Sequence, residues 1–333
     1  MGYRIAINGY GRIGRSVLRA IIERADTRNL EIAAINQPGD ADSIALATRY
    51  DSNHGRFKAA VTAHRNWLEF DGQKVALYPG VSAEELPWKQ LGIDLVLDCS
   101  GQPADRNLAA AHLQAGARKV LFSNPATKDV DATIIHGFND HILQPEDQII
   151  SAGSCTTNCL VPLLDAIDSA FGILHGGSTT LHAAMNDQPV SDTITQGRAA
   201  LNAMVPVDTA LAAGIARLLP ALAGKIECTH IRVPTTNVSA MDISLSLQKA
   251  TSAEQLNSLF STRSADQWRG IIDVNADPVS SVDFNHDSHS GIIDLRQTRV
   301  AKGHFAKIVC WFDNEWGFSN RMVDIAQRLA HAQ

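Results

Sequence analysis

Six residues near the N-terminus limit the fold of this chain more than any other stretch. Gly9-Tyr10-Gly11-Arg12-Ile13-Gly14 lies between an apolar, β-branched run (Tyr3–Asn8) and a segment, 11–22, that sets Ile13, Val17, Leu18 and Ile21 on one helical face. A G-x-G-x-x-G turn in that setting is suited to a dinucleotide. The first glycine permits the tight turn, and the second lets backbone approach a pyrophosphate. The third lets the helix pack on the strand, and the helix N-terminus favours the phosphate charge.

Strand and helix patterns continue to alternate behind the turn. Strands are expected at Leu30–Asn36, 94–99 and 119–123, and helices at 42–48, with Asp40 as cap, and at 106–115, ending at Gly116. Continuous apolar strands separated by helices predict a doubly wound parallel sheet. After about residue 150 the pattern changes. A long helix over 156–170 is followed by strand-like runs at 178–184, 226–233, 238–248, 291–294 and 306–312, with few helices between them. That predicts a mostly antiparallel sheet, and a helix over 320–332 closes the chain. The class is therefore α/β: a Rossmann doubly wound unit plus an α+β domain. The 333 residues suit two domains of roughly 150 each.

Composition removes several function classes. At 45% hydrophobic and 19% charged the chain is not disordered. Its net charge of −6 gives no general attraction for nucleic acid or anionic lipid. No apolar run reaches the ~18–20 residues that span a bilayer, and no signal peptide is read at the N-terminus. Five cysteines, an odd number, argue against a disulfide scaffold and for a reducing, cytoplasmic location.

Three positions carry the chemistry. The second strand ends Asn36-Gln37, where a ribose-binding acid is usual. A neutral amide still bonds a hydroxyl and repels a 2′-phosphate less, so NAD is the reading with NADP open. Ser154-Cys155-Thr156-Thr157-Asn158-Cys159 starts the long helix. The helix dipole and free N–H groups there are expected to lower the Cys155 thiol pKa and to stabilise an oxyanion on a carbonyl bonded to its sulfur. Cys159 reads as packing. His182, 27 residues after Cys155, lies on an expected strand and is a candidate proton acceptor. No spacing suits zinc, including the polar stretch 283–289 with His286 and His289, so no metal is expected.

Together the glycine turn, SCTTNC (154–159), TLHAAMNDQ (180–188), RVPT (232–235) and WFDNEWGFSNRM (311–322) resemble the glyceraldehyde-3-phosphate dehydrogenase family over essentially the whole chain. Met185, the segments 205–209 and 281–287, and Phe318 resemble its erythrose-4-phosphate dehydrogenase branch. The resemblance implies a dinucleotide-binding domain over 1–151, completed by the C-terminal helix 315–333, and a catalytic domain over 152–314. It implies a homotetramer, a small phosphorylated aldehyde as substrate and, for the erythrose branch, a place in pyridoxine biosynthesis. Cys155 is then the nucleophile and His182 its activator. Gly9, Gly11, Arg12, Ile13, Gly14, Gln37, Ser123 and Asn314 would hold the cofactor. Ser154, Thr156, Arg198, Thr209, Ala210 and Arg232 would line the substrate and anion sites.

The chain also departs from the family pattern. The segment after Asp192 is shorter and keeps Arg198 as its only arginine, with Gln196 where the family places an anion-holding one. Ala210 stands where the branches carry Gly or Lys, and an arginine expected near residues 78–81 is absent. Losing one positive group from a phosphate site costs ~1.5–3 kcal/mol. Three readings remain: erythrose 4-phosphate oxidation, phosphorylating glyceraldehyde-3-phosphate oxidation, and a cofactor-binding regulator with little catalysis.

Overall fold

The computed structural model describes residues 2–332. They form two compact units, residues up to 154 with 319 onward, and residues 155–318.

The first unit holds a nine-stranded sheet. Tyr3–Asn8 pairs in parallel with Leu30–Asn36 on one side and Leu95–Asp98 on the other. The parallel run continues through Lys119–Phe122 and Ile149–Ser151 to Ala132–Thr133 on one flank, and to Gln73–Tyr78 on the other. Ile5 and Ile7 are buried on one face of the sheet and Ala6 on the opposite face. An unbroken apolar run belongs in a strand buried on both sides. Because the chain runs from Tyr3–Asn8 to Leu30–Asn36 on one side and later crosses to Leu95–Asp98 on the other, the C-terminal end of Tyr3–Asn8 lies at a switch point, where such sheets bind ligands.

The parallel reading of this sheet needs one addition. Val61–His64 and Trp67–Phe70 extend it antiparallel beyond Gln73–Tyr78. Asp71 and Gly72 join the last two strands at φ 46° and 88°, the positive pair a two-residue hairpin turn requires. The Asp-Gly pair was the available signal in the sequence.

In the second unit the strand order is Val205–Val207, Ile226–Arg232, Ile173–His182, Ser239–Leu247, Phe305–Phe312, Gly291–Asp294, Ile272–Asn275. Most neighbours are antiparallel. Ile173–His182 with Ile226–Arg232, and Ile272–Asn275 with Gly291–Asp294, are parallel. In Ser239–Leu247 the side chains of Met241, Ile243, Leu245 and Leu247 are buried while those between them are half-buried. That is the two-residue period of a sheet with one packed face. Two helices were not read from the sequence, Leu211–Leu218 and Ala253–Ala265. The second carries a capping box, Ser252 with Gln255, a start signal that outlasts its weak apolar patterning.

The closing helix, Trp316–His331, begins before the expected 320. Asp313 accepts from the N–H groups of Glu315 and Trp316 at 3.0 and 2.8 Å, fixing the start there. Among the described residues no helix is long and apolar enough to cross a membrane.

Candidate active site

In the first unit the glycine turn has the geometry its spacing requires. Gly9 sits at φ 83°, and a Cβ on it would lie 2.4 Å from the Ser100 Cα. A Cβ on Gly14 would lie 2.3 Å from the Gly9 carbonyl oxygen. Gly11 faces open space, and it caps the helix Arg12–Glu23 with no side-chain hydrogen bond. The helix therefore offers backbone N–H groups over a bare glycine, a fit for a pyrophosphate. Gly14→Ala should force helix and strand apart, at a cost of about 1–3 kcal/mol. A lowered Tm together with weakened NAD binding, by calorimetry, is the expected result.

A cleft of about 630 Å³ opens at the ends of these strands. Its rim is pinned by amides. Asn36 accepts from the N–H groups of Gly80 and Val81 at 3.0 and 3.1 Å and donates to Asn8 at 2.8 Å. Asn8 donates in turn to the buried carboxylate of Asp98 at 2.8 Å. Gln37 accepts from the Tyr10 N–H at 2.6 Å, tying the ribose position to the glycine turn. The bond engages the Gln37 carbonyl, and its amide NH₂ donates to the Pro38 carbonyl at 3.3 Å, so one N–H of that NH₂ is left for a hydroxyl. Arg12 pairs with Asp51, and Ile13, half-buried, follows it in the first helical turn. Ser123 follows the strand Lys119–Phe122, which stops one residue short of the expected bound, and its N–H is bonded to the Asp98 carbonyl at 3.0 Å.

The cleft is lined by no lysine or arginine but includes Glu84 and Asp105. A 2′-phosphate would meet carboxylates and no cation. NAD should therefore bind about tenfold or more tighter than NADP, a gap of ~1.4 kcal/mol or above. Titration of the free protein with both cofactors checks this; equal affinities would contradict it.

In the second unit Cys155 begins the helix Cys155–Phe171, and His182 ends the strand Ile173–His182. The strand's register sets His182 opposite Arg232 and Thr180 opposite His230. The Cys155 Sγ lies 3.7 Å from His182 Nε2. His182 Nδ1 lies 2.8 Å from the Ala183 carbonyl oxygen and 2.7 Å from Arg232 Nη1.

Electrostatics of this cluster favour neutral partners. Burial pushes the Cys155 thiol up to about 12, although the Thr156 N–H and the Arg232 charge favour the thiolate. The helix N-terminus thus acts in the direction anticipated from sequence, but desolvation outweighs it, and the expected lowering of the thiol pKa is not found. Burial likewise holds His182 down to about 3, helped by the Arg232 and His230 charges and opposed by the Ala183 carbonyl and Glu315.

His230 is a site residue that the sequence reading missed. Its ring stacks on His182 with centroids 4.9 Å apart. Its Nε2 is buried with no hydrogen-bond partner among the described residues. The signal was present: His230 and Arg232 are two apart on one strand and so share a face.

The remaining site positions divide. Asn314, buried, accepts from the Ser239 hydroxyl at 2.8 Å, and that hydroxyl accepts from the Ala183 N–H at 3.0 Å. This links Asn314 to the residue after His182. Thr209 accepts from the Leu211 N–H at 3.2 Å, and Ala210 is the N-cap residue of Leu211–Leu218. Ser154 and Thr156 flank Cys155 along the chain. Arg198 is not gathered with them. It pairs with Asp192 in a turn closed by Thr193 and Gly197, and 75% of its side chain is exposed. His286 stacks on Trp316 at 3.8 Å, and His289 bonds Asp287 at 2.7 Å. Among the described residues no group of three His, Cys, Asp or Glu side chains is placed to hold a metal.

A Rossmann unit with an uncapped glycine turn, followed by a unit that brings together a thiol, an imidazole and a guanidinium, defines a nicotinamide-dependent dehydrogenase. Residues 3–106 match the NAD binding domain of glyceraldehyde 3-phosphate dehydrogenase, and residues 154–314 match the C-terminal domain of the same enzyme. The chain belongs to the glyceraldehyde 3-phosphate dehydrogenase family, NAD-dependent dehydrogenases of phosphorylated sugar aldehydes.

Proposed function

We propose that this chain oxidises D-erythrose 4-phosphate to 4-phosphoerythronate, with Cys155 as nucleophile and His182 as base. The observation that carries the reading is the 3.7 Å approach of His182 Nε2 to the Cys155 sulfur, with Arg232 beside it. His182 takes the thiol proton as the sulfur attacks the aldehyde carbon, giving a thiohemiacetal on Cys155. The Thr156 N–H, which bonds the Cys155 sulfur in the free protein, is the donor at hand to stabilise the developing oxyanion beside it. His182 returns that proton to the oxyanion and takes it back from the thiohemiacetal hydroxyl as the carbon loses hydride, leaving a thioester that water cleaves to the acid and the free Cys155 thiol. Bound NAD supplies the hydride acceptor. Arg232 offers a planar donor fork to the substrate phosphate.

Two features support water as the acyl acceptor. The sequence carries Met185, Phe318 and the segments 205–209 and 281–287 of the erythrose branch. In addition, the only arginine of the shortened loop, Arg198, is paired with Asp192 in an exposed turn. A phosphate acceptor would need such a cation, whereas water does not. The second reading, phosphorylating oxidation of glyceraldehyde 3-phosphate, is favoured by the family descriptions that both halves match. The resemblance further supports a cytoplasmic homotetramer, which light scattering would test for assembly.

Absorbance at 340 nm decides between the substrates. Erythrose 4-phosphate with NAD in phosphate-free buffer should give a steady rise. A rise only with glyceraldehyde 3-phosphate and added phosphate would transfer the chain to the second reading. Silence with both aldehydes would leave it as a cofactor-binding protein.

A further inference from the structure

Beneath the cofactor cleft lies a buried carboxylate without a cation. Asp98 ends the strand Leu95–Asp98 and is 1% exposed, and among the described residues no lysine or arginine pairs with it. Neutral donors hold it instead. Oδ1 accepts from the Ser100 N–H and hydroxyl at 3.1 and 2.7 Å. Oδ2 accepts from the Asn8 amide at 2.8 Å and lies 3.2 Å from His112 Nε2. Burial pushes the carboxyl up, but these bonds outweigh it and keep Asp98 below the ordinary carboxylate range. Trp88 stands behind His112, its indole Nε1 3.0 Å from His112 Nδ1, and both rings are fully buried.

The two ends of this chain fix the sense of its bonds. An indole N–H can only donate, so His112 Nδ1 carries a lone pair and the ring proton sits on Nε2. A carboxylate can only accept, so that proton points at Asp98. Nε2 then has no lone pair for the Asn8 NH₂, 3.3 Å away, which is directed to Asp98 alone. The Asn8 carbonyl is left for the Asn36 amide at 2.8 Å. In the other tautomer a lone pair on Nε2 would face the Asp98 oxygen, and the Asn8 NH₂ would be divided between the two. Asn8, Asn36 and Ser100 line the cleft, whereas Trp88 and His112 do not.

We propose that His112, its tautomer fixed by Trp88, is a positioning residue for the cofactor: through Asp98 it holds Asn8 and Ser100 in the arrangement that receives NAD. Packing alone does not call for such a chain. Trp88 lies in an apolar cluster with Ala6, Val96, Ala109 and Phe122, where a charge is costly unless every bond to it is made. The chain spends that burial on two groups at the cleft. The inference rests on NAD binding by the first unit, and on neither the role of Cys155 nor the aldehyde oxidised.

Calorimetric titration of NAD into the full chain and its variants tests this, with Tm measured on the same samples. His112→Phe keeps a buried ring and removes both bonds, and the NAD Kd should rise about tenfold or more. His112→Gln supplies an N–H for Asp98 and a carbonyl for the indole, and Kd should return to within about threefold of wild type. Trp88→Phe removes the donor that selects the tautomer and should weaken NAD about threefold or more. Ile93→Ala thins the same apolar core without touching the chain's side-chain bonds, and should lower Tm while leaving Kd in place. An unchanged Kd in His112→Phe, an equal loss in His112→Gln, or a Kd that follows Tm in Ile93→Ala would overturn the proposal. Should His112→Phe not fold, Trp88→Phe decides: a wild-type Kd in that variant overturns it. NADH formation is read separately. Tight NAD binding without turnover on any aldehyde sinks the substrate assignment alone, and turnover with a Kd indifferent to His112 sinks the positioning role alone.

Discussion

Replacing Cys155 by serine is expected to abolish aldehyde-dependent NADH formation while leaving NAD binding unchanged. Serine keeps the size and the helix start but offers an alcohol whose ionisation lies far above that of a thiol. At 3.7 Å from sulfur, His182 Nε2 is placed to strip a thiol proton, and it is too weak a base to do the same for the alcohol. The loss in kcat should be on the order of 10⁴-fold or more, as for other nucleophile deletions. The cofactor cleft is lined by residues of the first unit alone, so the NAD Kd should not move. Turnover in the variant within tenfold of wild type, about 1.4 kcal/mol, would remove Cys155 from the mechanism.

His182→Asn should give the next largest effect, a drop in kcat of about 10²–10⁴-fold. With the thiol pushed up to about 12, almost none of it is ionised at neutral pH without a base at hand. Asparagine is polar and of similar width but accepts no proton. The sign with pH follows. In the variant, activity should climb as pH rises toward the thiol pKa, because solvent hydroxide replaces the missing base. The wild type should depend less steeply on alkali. A pH–rate profile for both proteins checks this, and parallel profiles would assign His182 a purely structural part.

Much of this was legible in the sequence. G-x-G-x-x-G between strand and helix constrains backbone rather than side chains, and only glycine meets the contacts of Gly9 and Gly14. The parallel strands of the first unit are short apolar runs buried on both faces, so their burial can be read without knowing their neighbours. The hairpin at Asp71-Gly72 was marked by its turn, and Ala253–Ala265 by its capping box. The apolar patterning of Ala253–Ala265 is weak, which leaves the capping box as its only signal.

What the sequence by itself determined is local: the glycine turn, the alternating elements, the cysteine at a helix start and the histidine on a strand. These follow from steric limits and side-chain periodicity within a few residues. Only the tertiary structure decided that Arg232 and His230 stand against His182, through the pairing of strands some 50 residues apart in sequence. It also decided that burial outweighs the helix N-terminus at Cys155, and that Arg198 turns to Asp192. Desolvation and ion pairing depend on everything that surrounds a group. Residues close in space are set by sheet register, which no stretch of sequence carries alone.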